Sequence, residues 1–496
     1  MLHLLLVMSF AIGAPAAAGA ASSVGEILGH RFEAPAGLSP LPHPRPGTAA
    51  LVRWNQIAID ASGLDHTPPL PGENRVFAEQ VGPGRASRAM AVVHIAMFEA
   101  ANAVDRRYRS YTGLPAAKLR VDVDAAIATA AHDTLAALFP AQAAIFAGHL
   151  ADHLAETGSD GATDRGIRLG RRAAASILAL RADDGSVHAE PRMGEDYVPS
   201  DQPGQWRQDP ISLIPLALGA HWYEVKPFVL HSAEQFRVPP PPAMSSAAYT
   251  AAFNEVNALG GDGIVTPTAR TPEQTQIGLY WAYDGTPSLC APPRLYNQIT
   301  VQIAAQRRTT GVHLARLMAL VNTAMADAGI AIWESKYHYG LWRPITGIRE
   351  ADEGWGPTKT GDGNPDTHGD PAWTPLGAPA SNLTGPNFTP PFPAYPSGHA
   401  GFGGALFETL RLVYHTDHIG FTFVSDELNG VTQDNAGVVR PLVPRTFRTL
   451  SQAEEENGQS RIYLGIHWAF DKTEGIAQGR RIARWVFANA FRPRHP

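Results

Sequence analysis

The segment Pro396-Ser397-Gly398-His399 closes a proline-rich loop and opens a run of small residues, Ala400-Gly401-Phe402-Gly403-Gly404. A hydroxyl, a glycine N–H and an imidazole would meet there at a helix start, where unpaired N–H groups and the helix dipole favour an anion. Ser397 is equally a good N-cap, a role that serves only the helix. Two other segments carry the cations such a site needs. Lys336 and Arg343 are seven residues apart, about two helical turns, so they point the same way if one helix runs through both and stops at Pro344. The pair could instead answer the negative end of that helix. In the third segment, Ser460 to Asp471, Arg461 and His467 would face apart on an unbroken helix. Gly465 allows the helix to end between them, so that both turn toward one point. Asp471 can then cap the next helix or hold the His467 ring. Singly, each segment is also what a capped helix, a surface pair or a buried histidine looks like. Together, three strong cations, a hydroxyl, a glycine N–H and two histidines suit a trigonal or tetrahedral oxyanion. One histidine can be nucleophile or ligand while the other exchanges protons near neutral pH.

These residues need helices to hold them, and the apolar periodicity predicts a mainly α fold. Helices are expected over Arg85–Val104, Asp124–Leu138, Ala141–Glu156, Thr163–Leu180, Ser245–Leu259, Tyr296–Gln306, Val312–Lys336, Gly398–Val413, Ser451–Leu464 and Asp471–Asn489. Another begins at Thr271-Pro272-Glu273-Gln274, where Thr caps, Pro fits the first turn and Gln completes a capping box. His94 reads as a packed core histidine, and Arg165, Arg168, Arg171 and Arg172 as a solvated or carboxylate-paired face. The architecture expected is two packed helical bundles with long Pro/Gly-rich loops. A helical region at 21–200 precedes a site-bearing region at 201–496, and the loop-rich stretch Ala189–Pro242 lies between them. Residues 21–50 read as a surface wrap. No parallel-strand pattern and no short repeat is present.

Composition narrows the function. The 496 residues include 47 glycines and 42 prolines, against roughly 35 and 25 at average usage. Aromatic and apolar residues are interleaved throughout, so the excess predicts ordered loops. A net charge of −6 argues against nucleic acid or an anionic membrane surface as partner. Met1–Ala20 is apolar and ends in small residues, as a secretory signal peptide does, which implies a secreted or periplasmic location. No later apolar run reaches the roughly 18 residues of a membrane span. The single Cys290 excludes an internal disulfide and has no His or acidic neighbour in sequence to activate it. Asp362–Asp370 superficially suggests a calcium loop, but Pro365 and Trp373 break that pattern, and a solvated turn is expected. Asn382 and Asn387 head sequons that matter only in a glycosylating host.

The order K-x6-R-P, P-S-G-H, S-R-x5-H-x3-D resembles the type 2 phosphatidic acid phosphatase superfamily and its vanadium-dependent haloperoxidase branch. Every motif position matches: Lys336, Arg343 and Pro344; Pro396, Ser397, Gly398 and His399; Ser460, Arg461, His467 and Asp471. Trp333 and Phe392 match aromatic positions beside the halide site of chloroperoxidase-type members, where the bromoperoxidase type commonly has His at the second. Packing alone would account for such aromatics too. Tyr283-Asp284-Gly285 looks like the segment whose Asp pairs with the third-motif Arg, here Arg461. The resemblance implies a vanadate cofactor bound through His467, with Lys336, Arg343, Arg461, Ser397 and the Gly398 N–H neutralising its oxygens. It implies His399 as acid–base group, Lys336 polarising peroxide, and conversion of hydrogen peroxide and halide to hypohalous acid, with or without an organic acceptor. The same motifs also fit an exported acid phosphatase in which His467 attacks phosphorus. A third reading is a non-catalytic oxyanion binder, which would have little use for the two histidines.

Overall fold

Asp, Ser or Thr side chains cap six of the helices. The computed structural model describes residues 45–158 and 160–494, so the expected signal peptide and most of the 21–50 segment lie outside them. Thirteen α-helices are present among the described residues. The first five are α1 (Thr48–Asp65), α2 (Gly82–Asp105), α3 (Val123–Leu138), α4 (Ala143–Thr157) and α5 (Gly161–Leu180). Asp122 and Asp160 cap α3 and α5 by accepting backbone N–H bonds. Then come α6 (Ala247–Gly260) and α7 (Pro272–Tyr280), the latter with the Thr271/Gln274 capping box expected from sequence. The remainder are α8 (Pro293–Gln306), α9 (Val312–Tyr339), α10 (Pro344–Arg349), α11 (Gly398–Tyr414), α12 (Leu450–Tyr463) and α13 (Ala469–Asn489). One antiparallel hairpin joins β1 (Phe421–Asn429) to β2 (Leu442–Phe447).

The first layer is α2 to α5. Helix α9 packs against α2 on one side and against α11 and α13 on the other, which joins the two bundles within one unit, Leu41–Pro496. The loop stretch from Ala189 to Pro242 runs within that unit. Helices α11 and α13 cross unusually closely. A Cβ on Gly479 would stand 2.0 Å from the Gly401 carbonyl oxygen, and one on Gly475 2.7 Å from that of Ser397. Only glycine permits this approach, and it brings the start of α11 beside the start of α13.

Several expectations need correction. Residues from Thr48 onward form α1, whose inner face buries Leu51, Trp54 and Ile59, and so are not a surface wrap. Lys336 and Arg343 do not share a helix: α9 ends at Tyr339 with Gly340 in the left-handed region (φ 59°). Arg343 is extended and stands at the N-cap of α10, so Pro344 begins a helix at a position where its missing N–H costs nothing. Helix α9 also has the length and apolar composition of a membrane span, against the expectation of none. About 94% of its apolar window is buried within the fold, which accounts for its composition. The Asp362–Asp370 turn is only partly solvated: Asp362, Asn364 and Thr367 are buried, with the Thr367 hydroxyl donating to Asp362. His94 is buried with Nδ1 2.7 Å from the Met90 carbonyl, and Arg168, Arg171 and Arg172 are exposed, as expected.

Candidate active site

Three chain segments reach one point. Lys336 comes from the last turn of α9, Arg343 from the N-cap of α10, and Ser397 to His399 from the start of α11. Arg461 lies in the last turn of α12, and His467 and Asp471 flank the start of α13. Gly465, with φ 73°, makes the turn between Arg461 and His467 that the sequence predicts. The Ser397 N–H donates to the Asp471 carbonyl at 3.0 Å, which ties the second segment to the third. Trp342, Trp373, Trp468, Tyr249, Phe253 and Tyr395 form a buried cluster around the 341–345 and 462–468 segments. Burial of each such ring stabilises the fold by a few kcal/mol, on the order of 2 to 3. The loops that carry Arg343 and His467 are therefore held by a core.

The His467 ring is polarised from both sides. Arg343 Nη1 donates to Nε2 at 2.9 Å, so the ring proton sits on Nδ1, which donates to Asp471 Oδ2 at 2.7 Å. Asp471 Oδ2 also accepts the Trp468 N–H at 3.0 Å, so this carboxylate both caps α13 and orients the imidazole. Arg461 Nη2 donates to both Asp284 oxygens, at 2.6 and 2.8 Å, the pairing that the resemblance implies. His399 Nε2 donates to the Ala282 carbonyl and lies 4.0 Å from Asp284. Lys336 Nζ donates to the Pro393 and Ala394 carbonyls, each at 2.8 Å, which leaves one ammonium proton unspent. The Ser397 hydroxyl weakly caps α11, with the Ala400 N–H at 3.4 Å.

Burial and like charge dominate the electrostatics. Desolvation first, then the Arg343 charge, holds Lys336 well below the usual lysine range. Desolvation likewise brings Arg343 down to about 9. Both histidines are pushed well below 6.5, again by burial first, followed by Arg461 for His399 and Arg343 for His467. Burial raises Asp471 to about 7, against the pull of the Trp468 N–H, Lys336 and Arg343. An anion would offset the mutual repulsion of these basic groups.

Unspent donors give the same answer. Arg343 Nη2 and Arg461 Nε and Nη1 are buried without a partner. An unsatisfied buried donor costs about 1–3 kcal/mol, and more on a charged group. A small oxyanion would meet these donors, the free Lys336 proton, the Ser397 hydroxyl and the Gly398 N–H, while His467 Nε2 would offer its lone pair to a metal centre once Arg343 Nη1 turns from that nitrogen to the anion. The residues therefore fit vanadate. Among the described residues no group of three or more His, Cys, Asp or Glu is placed to hold a metal ion, so such a centre would be held by one imidazole within a cationic cradle.

A cavity of about 460 Å³ opens onto this site. His399, Arg461, His467, Asp284 and Gly398 line it together with Trp333 and Phe392, whose ring centroids are 4.9 Å apart. Lys336 Nζ stands 5.8 and 5.1 Å from these two rings, and the Arg343 guanidinium 5.0 Å from Phe392. Trp333 is fixed by its Nε1–H bond to the Leu218 carbonyl at 3.0 Å. The outer walls are apolar, with Phe77, Val81, Leu216, Leu383 and Phe388.

All eleven residues singled out from sequence thus gather here. What sequence reasoning missed are supports distant in the chain: the Ala282 carbonyl, Tyr296 and Asn457, which both bind the His399 carbonyl, and Glu427. Cys290, which has no His neighbour in sequence, has one in space. Burial pushes its thiol up, but His66 and the Ser62 hydroxyl, 2.8 Å away, bring it down overall.

The likeness to known proteins agrees with this chemistry. Residues 316–495 match the family model described as the VCPO second helical-bundle domain. The chain is 32% identical over 514 residues to vanadium chloroperoxidase of Curvularia inaequalis, an alignment covering 86% of this chain and 79% of that protein. Among solved structures it is similar to the first bacterial vanadium-dependent iodoperoxidase, at 25% identity and a TM-score of 0.69, covering 90% of this chain and 98% of the other. The apo-type bacterial vanadium-dependent chloroperoxidase shares the fold, with a TM-score of 0.60 at 16% identity over 82% of this chain and 94% of that one. Because the first of these alignments runs through most of both chains, well past the motif-bearing third, the protein belongs to the vanadium-dependent haloperoxidase family, with vanadate as its cofactor.

Proposed function

We propose that the enzyme oxidises chloride or bromide with hydrogen peroxide to hypohalous acid, and that the residues gathered at the cavity floor divide the work as follows. His467 would hold the metal through Nε2, and Asp471 keeps that nitrogen deprotonated and aimed. Lys336, Arg343, Arg461, Ser397 and the Gly398 N–H would neutralise the cofactor oxygens. Bound vanadate supplies a Lewis acid that activates hydrogen peroxide toward halide attack. His399, neutral and with Arg461 and Asp284 beside it, takes and returns the proton at the peroxide site. The observation that carries the reading is the set of buried, unpartnered guanidinium donors on Arg343 and Arg461, the first of which also reaches His467 Nε2 through its other terminal nitrogen.

Trp333 and Phe392 support chloride or bromide as the halide. An aromatic corner strips water from an anion while Lys336 and Arg343, about 5 to 6 Å away, supply the charge that replaces it. The apolar outer wall supports a neutral, electron-rich organic acceptor, since such a wall gives a hydrated ion nothing. The apolar Met1–Ala20 segment supports export of the protein. Initial rates with chloride, bromide and iodide, each titrated at saturating peroxide and vanadate, test the halide. A specificity constant for bromide or chloride at least equal to that for iodide is expected, and turnover of iodide alone overturns the assignment.

For the vanadate-free protein a second reading has its own support. The His467 Nε2 lone pair, backed by Asp471, is also a nucleophile for phosphorus, and His399 can protonate a leaving alkoxide. Hydrolysis of a nitrophenyl phosphate by the vanadate-free protein, suppressed by added vanadate, tests it.

A further inference from the structure

Strand β1 behaves oddly for a surface hairpin. It pairs regularly with β2 from Phe421 to Val424, then loses register until Asn429, and all four residues from Ser425 to Leu428 are buried. A two-stranded ribbon with one solvated face should alternate buried and exposed residues. Three of these four are polar, so their hydrogen-bonding groups must find partners other than β2.

The partners lie in the segment just before Asp284. The Ser425 hydroxyl donates to the Tyr280 carbonyl at 2.6 Å, and the Tyr280 hydroxyl donates to the Phe423 carbonyl at 2.8 Å. The Asp426 N–H donates to the Tyr283 hydroxyl at 2.6 Å. Glu427 Oε1 accepts the Tyr283 N–H at 3.1 Å. Tyr283 has φ 45°, a left-handed conformation that a bulky residue adopts only when its surroundings impose it. The residues on either side of Tyr283 are the ones that reach the site. The Ala282 carbonyl accepts from His399, and the Asp284 carboxylate holds Arg461. The peptide group gripped by Glu427 through its N–H is therefore the one whose carbonyl, that of Ala282, accepts from His399, and Asp284 is the next residue along.

Glu427 is built for the task. It is fully buried, its second oxygen accepts from the Ser381 hydroxyl at 2.6 Å and from Arg440, and it does not line the cavity. We propose that Glu427 is a positioning residue of the haloperoxidase site: through the strained Tyr283 peptide it sets the Ala282 carbonyl and the Asp284 carboxylate, and so the orientation of His399 and Arg461. The proposal rests on the reading of His399 as the proton-exchanging group.

The test uses the full-length, vanadate-loaded enzyme with Glu427→Ala and Glu427→Gln. Bromide oxidation is followed across pH at a temperature well below each variant's midpoint. Glu427→Ala frees the Tyr283 peptide, so the Ala282 carbonyl no longer supports a protonated His399. Saturated turnover should slow by about an order of magnitude or more, the scale of a misplaced acid–base group. The limb of the pH profile due to His399 should move to lower pH by half a unit or more. Glu427→Gln keeps an acceptor for the Tyr283 N–H but not the charge opposite Arg440. It should lower the melting midpoint while restoring most of the turnover and the wild-type profile. A Glu427→Ala enzyme with a lowered midpoint but unchanged turnover and pH profile would overturn the proposal. If that variant does not fold, Ser425→Ala, which removes the hydroxyl that donates to the Tyr280 carbonyl and accepts the Glu427 N–H, decides by the same profile shift or its absence. A wild-type profile whose limb survives His399→Gln would instead sink the reading beneath the proposal, and the proposal with it.

Discussion

His467 Nδ1 lies 2.7 Å from Asp471 Oδ2, and this contact decides which ring nitrogen faces the cationic cradle. A carboxylate behind a ligating imidazole fixes its tautomer and raises its basicity, and loss of such a partner typically weakens metal affinity about 10- to 100-fold. Asp471→Asn keeps the volume and removes the charge, so a loss of vanadate affinity in that range is expected by equilibrium dialysis. Unchanged affinity would mean that the ring is oriented by Arg343 alone.

Vanadate binding should take up a proton at His399. Burial, then Arg461, keeps this imidazole well below 6.5, hence neutral at pH 7. An oxyanion offsets the cationic repulsion and raises the value. Between the free and the raised value the complex holds one more proton than its components, so affinity falls as pH rises through that window, by at most about tenfold per unit. The slope difference between wild type and His399→Ala isolates the imidazole from the ionisation of vanadate itself. Equal slopes would exclude His399 as the site of uptake.

Phe392 should matter more for chloride than for iodide, because chloride is the more strongly hydrated ion and gains more from a site that replaces its water. Phe392→His adds a polar ring that keeps water in the corner between Trp333 and Lys336. The specificity constant for chloride should fall about 10-fold or more relative to that for iodide, an effect of roughly 1.4 kcal/mol. A parallel fall for both halides would make the ring a packing element only.

His94 predicts acid lability. Burial brings it from 6.5 down to about 4, against its bond to the Met90 carbonyl. Below pH 6.5 the unfolded chain takes up the proton first, so native stability falls as pH drops and the contribution is gone below 4. The full difference is about 3 kcal/mol, of which about 2 is lost by pH 5. Urea unfolding at pH 7 and pH 5 should show a pH dependence smaller by about that amount in His94→Gln. An identical dependence would place the lability elsewhere.

The site is more legible in the sequence than the scaffold, because its chemistry is carried by residue type at short spacing. Gly465 announces the turn between Arg461 and His467, and Thr271 and Gln274 announce the start of α7, since both signals are local. The Lys336–Arg343 spacing misleads: seven residues match two helical turns, yet Gly340 ends α9, and Pro344 suits a helix start as well as a stop. Helix α1 escapes notice because its 18 residues bury polar Asn55, Gln56 and Asp65 along with apolar ones, which blurs the periodicity. The Glu427–Tyr283 contact and the His66–Cys290 pair lie beyond the reach of local pattern, because they join residues more than 140 and 220 positions apart in the chain.

The central claim is that a single imidazole, His467, binds the metal of vanadate within a cradle of cations that hold only its oxygens. Titration of the vanadate-free protein with orthovanadate, followed by vanadium NMR and by peroxide-dependent bromination of a dione dye, tests it directly. Wild type should bind about one vanadate per chain and gain activity in step. His399→Ala should retain the anion and lose most turnover, while His467→Ala should show neither tight binding nor activity. Tight, stoichiometric binding by His467→Ala would contradict the account.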